Sequence, residues 1–416
     1  MNRIDQANAE ALARMNRAEP VLVDIKYAGE VAPELDERTI GHAGPPIRWE
    51  DMCGPMKGAV MGAAVYEGMA QTLEEAAEKV QTGAIRLVSN HSLGCVGPMT
   101  GMITRSMPLW EVKNETFGNY AYSTFNEGLG KVMRFGANGP EVLERLKWME
   151  TVLAPHLKKA IAHAGPIPLK VIMAKALAMG DEMHQRNIAA SALIAQELIP
   201  PLVHVTEDRA ALERMTTFMI GNVQFFLNLA MAAAKATMDP VKNIPHCSVV
   251  TAMSRNGTNF GIKISALGDE WFEAPVLMPK GLYFPGYSEK DANPDMGDSA
   301  IMETLGVGGF SMAAAPAVIR FVGAASAGEA LEYSREMQEI TVGTSESYVI
   351  PIMDFVGTAS GIDIRKVVET GILPVINTGM AHKEPGVGQV GAGIVKAPMD
   401  CFIKALYAFA HAEGVD

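Results

Sequence analysis

The sequence predicts an α+β fold, in which two mixed α/β domains over residues 1–165 and 244–416 flank a helical middle domain over 166–243. Three observations predict it. Short apolar runs of strand length alternate with helical windows up to about residue 165, nearly every window from 168 to 235 is patterned as helix, and after Pro245 strand-like runs return, joined by turn residues. A chain of 416 residues that is 48% hydrophobic can bury a large core, and length alone suggests about two to three domains.

Composition narrows the function. Charged residues make up 20% of the chain, the net charge is -12 and there is no basic run, so the electrostatic footprint of a nucleic-acid or anionic-membrane partner is missing. The N-terminus MNRIDQANAEALARMNRAEP mixes acidic residues into a stretch without a continuous apolar core, unlike a signal or transit peptide, which makes the cytoplasm the expected location. The longest weakly charged stretch, 307–328, contains Pro316, Arg320 and several glycines and reads as a buried helix flanked by glycine turns rather than a membrane span. Cys53, Cys95, Cys247 and Cys401 are scattered without zinc-site spacing and read as free thiols; Cys95, in a glycine-rich loop, is the one candidate nucleophile among them.

In chain order, a helix over 6–17 leads into the strand VLVDI at 21–25 and then into a loop that Pro45 and Pro46 hold extended. An Ala- and Met-rich helix is predicted from Gly58 to Glu78, capped at Gly83. Strands at 85–88 and 109–112 enclose SNHSLGCVGPMTGMITRSMP, where Gly94, Gly97 and Gly101 let backbone N–H groups approach a ligand. The next loop region sets Asn114, Asn119, Asn126, Glu127, Lys131 and Arg134 among glycines, equipment suited to a small polar substrate, although Asn and Gly are also ordinary turn residues. Pro140 opens a helix that Gly165-Pro166 stops.

The middle segment reads as helices over 168–178, 181–198 and 207–235, with breaks at Pro200-Pro201 and Asp239-Pro240. Its polar exception is MGDEMHQRN at 179–187. On a helix Asp181 and His184 would share a face as an acid-base pair, with Asn187 one step further round; the alternative is a solvated helix N-terminus.

Further on, CSVVTAMS and NFGIKIS flank Arg255-Asn256-Gly257-Thr258, an Asn-Gly hairpin. Arg255, beside Asn256 and Asn259, has no carboxylate near it in sequence before Asp269, so its planar fork is expected to grip a substrate carboxylate or phosphate. In NPDMGDSAIMETLG, Asp298 or Ser299 is a good N-cap, and Asp295 with Asp298 offers the chain's best magnesium site, although no metal or other cofactor is required. Gly386, Gly388 and Gly391 match G-x-G-x-x-G, but no strand immediately precedes them and too little chain follows for a dinucleotide fold. A glycine-rich anion loop around Gly388, entered by His382, Lys383 and Glu384, is the better reading.

Seven stretches, AGPPIRWEDMCGPMKGA, VGPMTGMITRSMP, NEGLGKVMRFG, MGDEMHQRN, SRNGTNFGI, NPDMGDSAIMETLGVGGFSMAAAPA and HKEPGVGQVGAG, together resemble the YahG/YlbE-like family, long classed as a domain of unknown function. The resemblance runs from about Ile40 to the C-terminus. It implies a subunit of an oxamate carbamoyltransferase that works with an FdrA-type partner in allantoin breakdown, phosphorolysing an N-carbamoyl compound of the oxalurate type to an oxamate-like amide and carbamoyl phosphate. One departure, a lone His91 where the family carries a richer histidine run, leaves the substrate open.

That chemistry requires phosphate donors, oxyanion stabilisation and an acid for the leaving nitrogen. Arg134, Arg255 and Lys383 are candidates for the first, backbone N–H groups near Gly97 or Gly388 for the second, and His184, with Asp181 and Glu127, for the third. Asn126, Asn187, Asn256 and Asn259 complete the expected substrate contacts. A homo-oligomer is also expected. Two other readings stand beside this one: a non-catalytic scaffold for the FdrA-like partner, and a stand-alone amide hydrolase.

Overall fold

The computed structural model describes residues 2–320, 322–324 and 326–414. The fold is α+β, with five separate sheets among the described residues. At its centre is the helix Leu227–Met238, all of whose residues are buried. Its sequence, LNLAMAAAKATM, explains this: small alanines and adaptable methionines let neighbouring elements approach from every side. It packs on the largest sheet, in which Pro20–Tyr27 runs antiparallel to Pro108–Asn114, and Leu22, Trp110 and Val112 share one apolar cluster with Met231, Ile301 and Tyr348. The helices of the 166–243 segment thus bury their apolar faces in a core that both flanking segments also line.

Local turn chemistry builds the second sheet as predicted. Val250–Asn256 and Asn259–Ile264 pair antiparallel, Gly257 takes φ +82°, and the Asn256 side-chain Oδ1 accepts the N–H groups of Thr258 and Asn259. The short strand Met296–Gly297 joins the other edge, opposite Asn256 and Arg255. A third sheet, Lys280–Tyr283, Gln389–Lys396 and Val375–Ala381 in that order, carries the glycine-rich tail.

Several expected helices are divided. Residues 58–78 lie in two, Gly54–Glu67 and Leu73–Gln81, because Gly68 turns left-handed at φ +79° and the Thr72 side chain caps the second. The 207–235 window is Arg209–Gly221 followed by Leu227–Met238. It breaks at Asn222, whose carbonyl accepts the Gln224 N–H while its amide reaches across to Asn126 O. The expected 181–198 helix begins only at Ile188 and runs to Val205 through Pro200 and Pro201, so these prolines do not end it. This helix is long and apolar enough to cross a membrane by composition; 39% of it is buried in the fold. The 307–328 stretch is no long helix. Gly308, Gly309 and Pro316 cut it into a 3-10 stretch, Gly308–Ala314, and a short helix, Pro316–Ile319; residues 321 and 325 lie outside the described residues.

Candidate functional site

Residues 180–187 form a loop, with Met183 at φ +65°. The expected helical pairing of Asp181 with His184 is therefore corrected. Asp181 instead accepts the Ala190 N–H, capping the following helix, and lies 3.1 Å from Arg186. His184 turns to Glu303, with Nδ1 2.7 Å from Oε1. Glu303 is the lone acid of the apolar helix Ile301–Leu305; the same oxygen accepts the N–H groups of Gly309 and Asn377, while Oε2 has no donor.

Glu182 completes this buried group. Its Oε1 accepts the Gln185 and Arg186 N–H groups, and Oε2 lies 3.2 Å from Asn377 Nδ2. The backbone at Gly308 closes over it, donating to Glu182 O at φ +64°. A Cβ at Gly308 would come within 2.1 Å of the Glu303 carboxylate, so only glycine fits.

Burial raises the Glu182 carboxyl to about 7, against smaller lowering effects from His184 and the Arg186 N–H. Folded Glu182 therefore keeps its proton up to about pH 7, whereas an unfolded glutamate releases it near 4.5. The stability this contributes is fully present below pH 4.5 and is lost as pH rises through about 7, a difference on the order of 3 kcal/mol. Glu182→Gln is expected to flatten this part of the stability profile, measured by urea unfolding at pH 5 and pH 8. Equal losses in variant and wild type would show that Glu182 is ionised throughout.

A second buried network lies on the other side of the strand Val375–Ala381, where Thr378 points opposite to Asn377. The expectation that Arg255 lacks an acidic partner is corrected here. Its Nε and Nη2 bind Asp295 at 2.6 and 3.0 Å, Nη1 donates to Gly297 O and Ser299, and both charged side chains are fully buried. Strand pairing of Met296–Gly297 with Arg255 and Asn256 brings this partner in from 40 residues away. Asp298 accepts the N–H groups of Gly44 and Gly97, the Asn90 amide and the Ser254 hydroxyl, tying its own turn to four other segments of the chain, one of them the strand Val250–Asn256. Gly97 N–H therefore serves Asp298 rather than an oxyanion. The carboxylates considered for magnesium are thus engaged with protein donors, and no group of three or more metal-ligating side chains occurs among the described residues.

The other asparagines serve the fold as well. Asn256 binds Pro45 O, Asn259 donates to Glu273, and Asn126 donates to Asn228. Glu127, half-buried and with its carboxyl raised by desolvation, accepts the Met133 and Arg134 N–H groups. Cys95 is buried and its thiol is pushed up to about 12, the opposite of an activated nucleophile. Lys383 is exposed and packs its carbonyl against Gly54, apart from these groups.

Three of the predicted stretches do converge. A cleft of about 320 Å³ is lined by Gln185, Arg186 and Asn187 from the central loop, Leu129 from the 126–134 loop, Gln389 from the glycine-rich tail, and Gln224. Arg134 reaches this wall indirectly, donating from Nη2 to Gln224 Oε1 at 2.6 Å and to Gly128 O. Gly388, at φ +107°, lets the tail lie directly on Gly130. Asn187 bridges cleft and buried acids, its Nδ2 donating to His184 O. Sequence reasoning missed Glu182, Glu303, Gln224 and Gln389; a single acid in apolar IMETL was the available signal for Glu303.

The family model of the oxamate carbamoyltransferase subunit AllG matches residues 85–299. The chain is 49% identical to the oxamate carbamoyltransferase subunit AllG of Escherichia coli (strain K12) over 99% of both chains. It is 44% identical to the protein YahG of the same organism, covering all of this chain and 88% of that one. A crystal structure of a conserved protein of unknown function from Enterococcus faecalis V583 superposes with a TM-score of 0.97 at 46% identity, covering 99% of this chain and 98% of that one. With such identity along essentially its whole length, this chain belongs to the AllG family of oxamate carbamoyltransferase subunits.

Proposed function

We propose that this chain is a subunit of a cytoplasmic carbamoyltransferase that phosphorolyses an N-carbamoyl compound of the oxalurate type, giving an oxamate-like amide and carbamoyl phosphate. A phosphate oxygen attacks the carbamoyl carbon, the C–N bond to the leaving amide breaks, and the hydrogenphosphate proton ends on the leaving nitrogen. That relay needs a group that takes and gives a proton near neutral pH. The observation that carries the reading is the buried Glu182–His184–Glu303 group beside a carboxamide-lined cleft, with Glu182 raised to about 7. His184, oriented by Glu303, is assigned the proton transfer, Arg186 the substrate carboxylate, and the glycine-rich tail around Gly388 the phosphate.

One observation favours the scaffold reading. An apolar groove of about 540 Å³, lined by Ile188, Ala195, Ile199, Ile220 and Val223, adjoins the cleft and offers a face to an FdrA-like partner or a second copy. The test is to assemble the chain with the partner and assay carbamoyl phosphate formed from oxalurate and phosphate. Phosphate-dependent turnover by the assembly alone supports the proposal. Turnover by the isolated chain without phosphate would make it an amide hydrolase.

A further inference from the structure

The polar lining of the 320 Å³ cleft is unusual in kind: four of its five polar side chains are carboxamides, Gln185, Asn187, Gln224 and Gln389, the fifth is Arg186, and no carboxylate lines it. Three of the carboxamides are oriented by the fold. Gln224 Oε1 accepts from Arg134, Gln389 Nε2 donates to Gly391 O, and Asn187 Nδ2 donates to His184 O. Asn187 is fully buried and its Oδ1 has no donor; Gln185 Oε1, also buried, has none either. Both residues line the cleft. Turning Gln185 Oε1 outward breaks no hydrogen bond, turning Asn187 Oδ1 outward gives up only the 3.3 Å bond from Nδ2 to His184 O, and a ligand N–H would satisfy what the fold leaves unsatisfied.

We infer that this cleft is a subsite for a small molecule bearing a carboxamide or ureido NH2 next to a carboxylate, the NH2 meeting Asn187 Oδ1 and Gln185 Oε1 and the carboxylate meeting Arg186. Arg186 shares its charge with Asp181 at 3.1 Å, and its side chain is about one third exposed, which leaves donors for an incoming anion. The amide end sets the selectivity. A second carboxylate in its place would set oxygen against oxygen, whereas the NH2 brings the donors both acceptors lack. The cleft volume is at the small end of ligand pockets, as suits a molecule of few heavy atoms. The subsite rests on the carbamoyl-transfer reading only in the choice of probe.

The experiment is calorimetry on the full chain with oxamate and with oxalate, which differ in one NH2. Oxamate is expected to bind at least about tenfold more tightly, and Gln185→Met to weaken oxamate about tenfold while leaving oxalate unchanged. Asn187→Leu should do the same; because Asn187 precedes the helix Ile188–Val205, the partly exposed Gln185 keeps the test decisive if that variant does not fold. Equal affinity for both anions, no oxamate binding, or wild-type oxamate binding by Gln185→Met would overturn the subsite. Amide-selective binding without carbamoyl phosphate formation by the assembly would keep the subsite and remove the transfer reading. Turnover without amide selectivity in this chain would do the reverse.

Discussion

An Asp295→Ala variant is expected to lose about 3 to 5 kcal/mol of folding stability. Arg255 and Asp295 are both fully buried, and the guanidinium meets the carboxylate through two nitrogens. Thr378 adds a hydroxyl donor to the same carboxylate at 2.6 Å. Removing the carboxylate leaves a buried cation facing one carbonyl and two hydroxyls, none of which carries charge. The cost is that of an uncompensated charge, larger than the net value of the pair. Removing both charges together, as Arg255→Met with Asp295→Leu, is therefore expected to recover much of the loss, and the double-mutant cycle should show strong coupling. Urea unfolding at pH 7 measures both. A loss below about 0.5 kcal/mol in Asp295→Ala would place it among ordinary surface substitutions and remove the pair from the account of stability. The same geometry changes how Arg255 variants should be read: a fall in activity after Arg255→Ala is expected to accompany a fall in stability.

The second large effect is expected at His184. In the assembled enzyme, His184→Gln should lower carbamoyl phosphate formation by about 10² to 10⁴, the range a positioned acid-base group contributes. Glu303→Gln keeps the imidazole but removes the carboxylate 2.7 Å from Nδ1 that orients it. Its effect should be a smaller fall in rate together with a displaced pH–rate profile, which a purely structural role would not produce. Circular dichroism and urea unfolding of each variant separate chemistry from folding. Wild-type turnover by a folded His184→Gln assembly would discard the acid-base assignment and favour the scaffold reading.

The features legible from sequence are those decided within a few residues. Asn256-Gly257 specified a hairpin because the Asn side-chain Oδ1 collects two following N–H groups and glycine accepts φ +82°. The class, with helices through the middle and strands on either side, followed from hydrophobic period. The family resemblance rested on residues read in order. The network partners were not legible. Arg255 looked unpaired because its acid lies 40 residues on and arrives by strand pairing at Met296–Gly297. His184 meets Glu303 across 119 residues, and both meet the 308–309 turn only because glycine permits the approach. Local propensity also misread 181–187 as helix, since it could not know that Asp181, Glu182 and His184 would each find a partner outside a helical ladder. Chain neighbours set the backbone's local choices, but a buried polar group binds whichever donor or acceptor the packed elements bring to it, and that choice belongs to the tertiary structure.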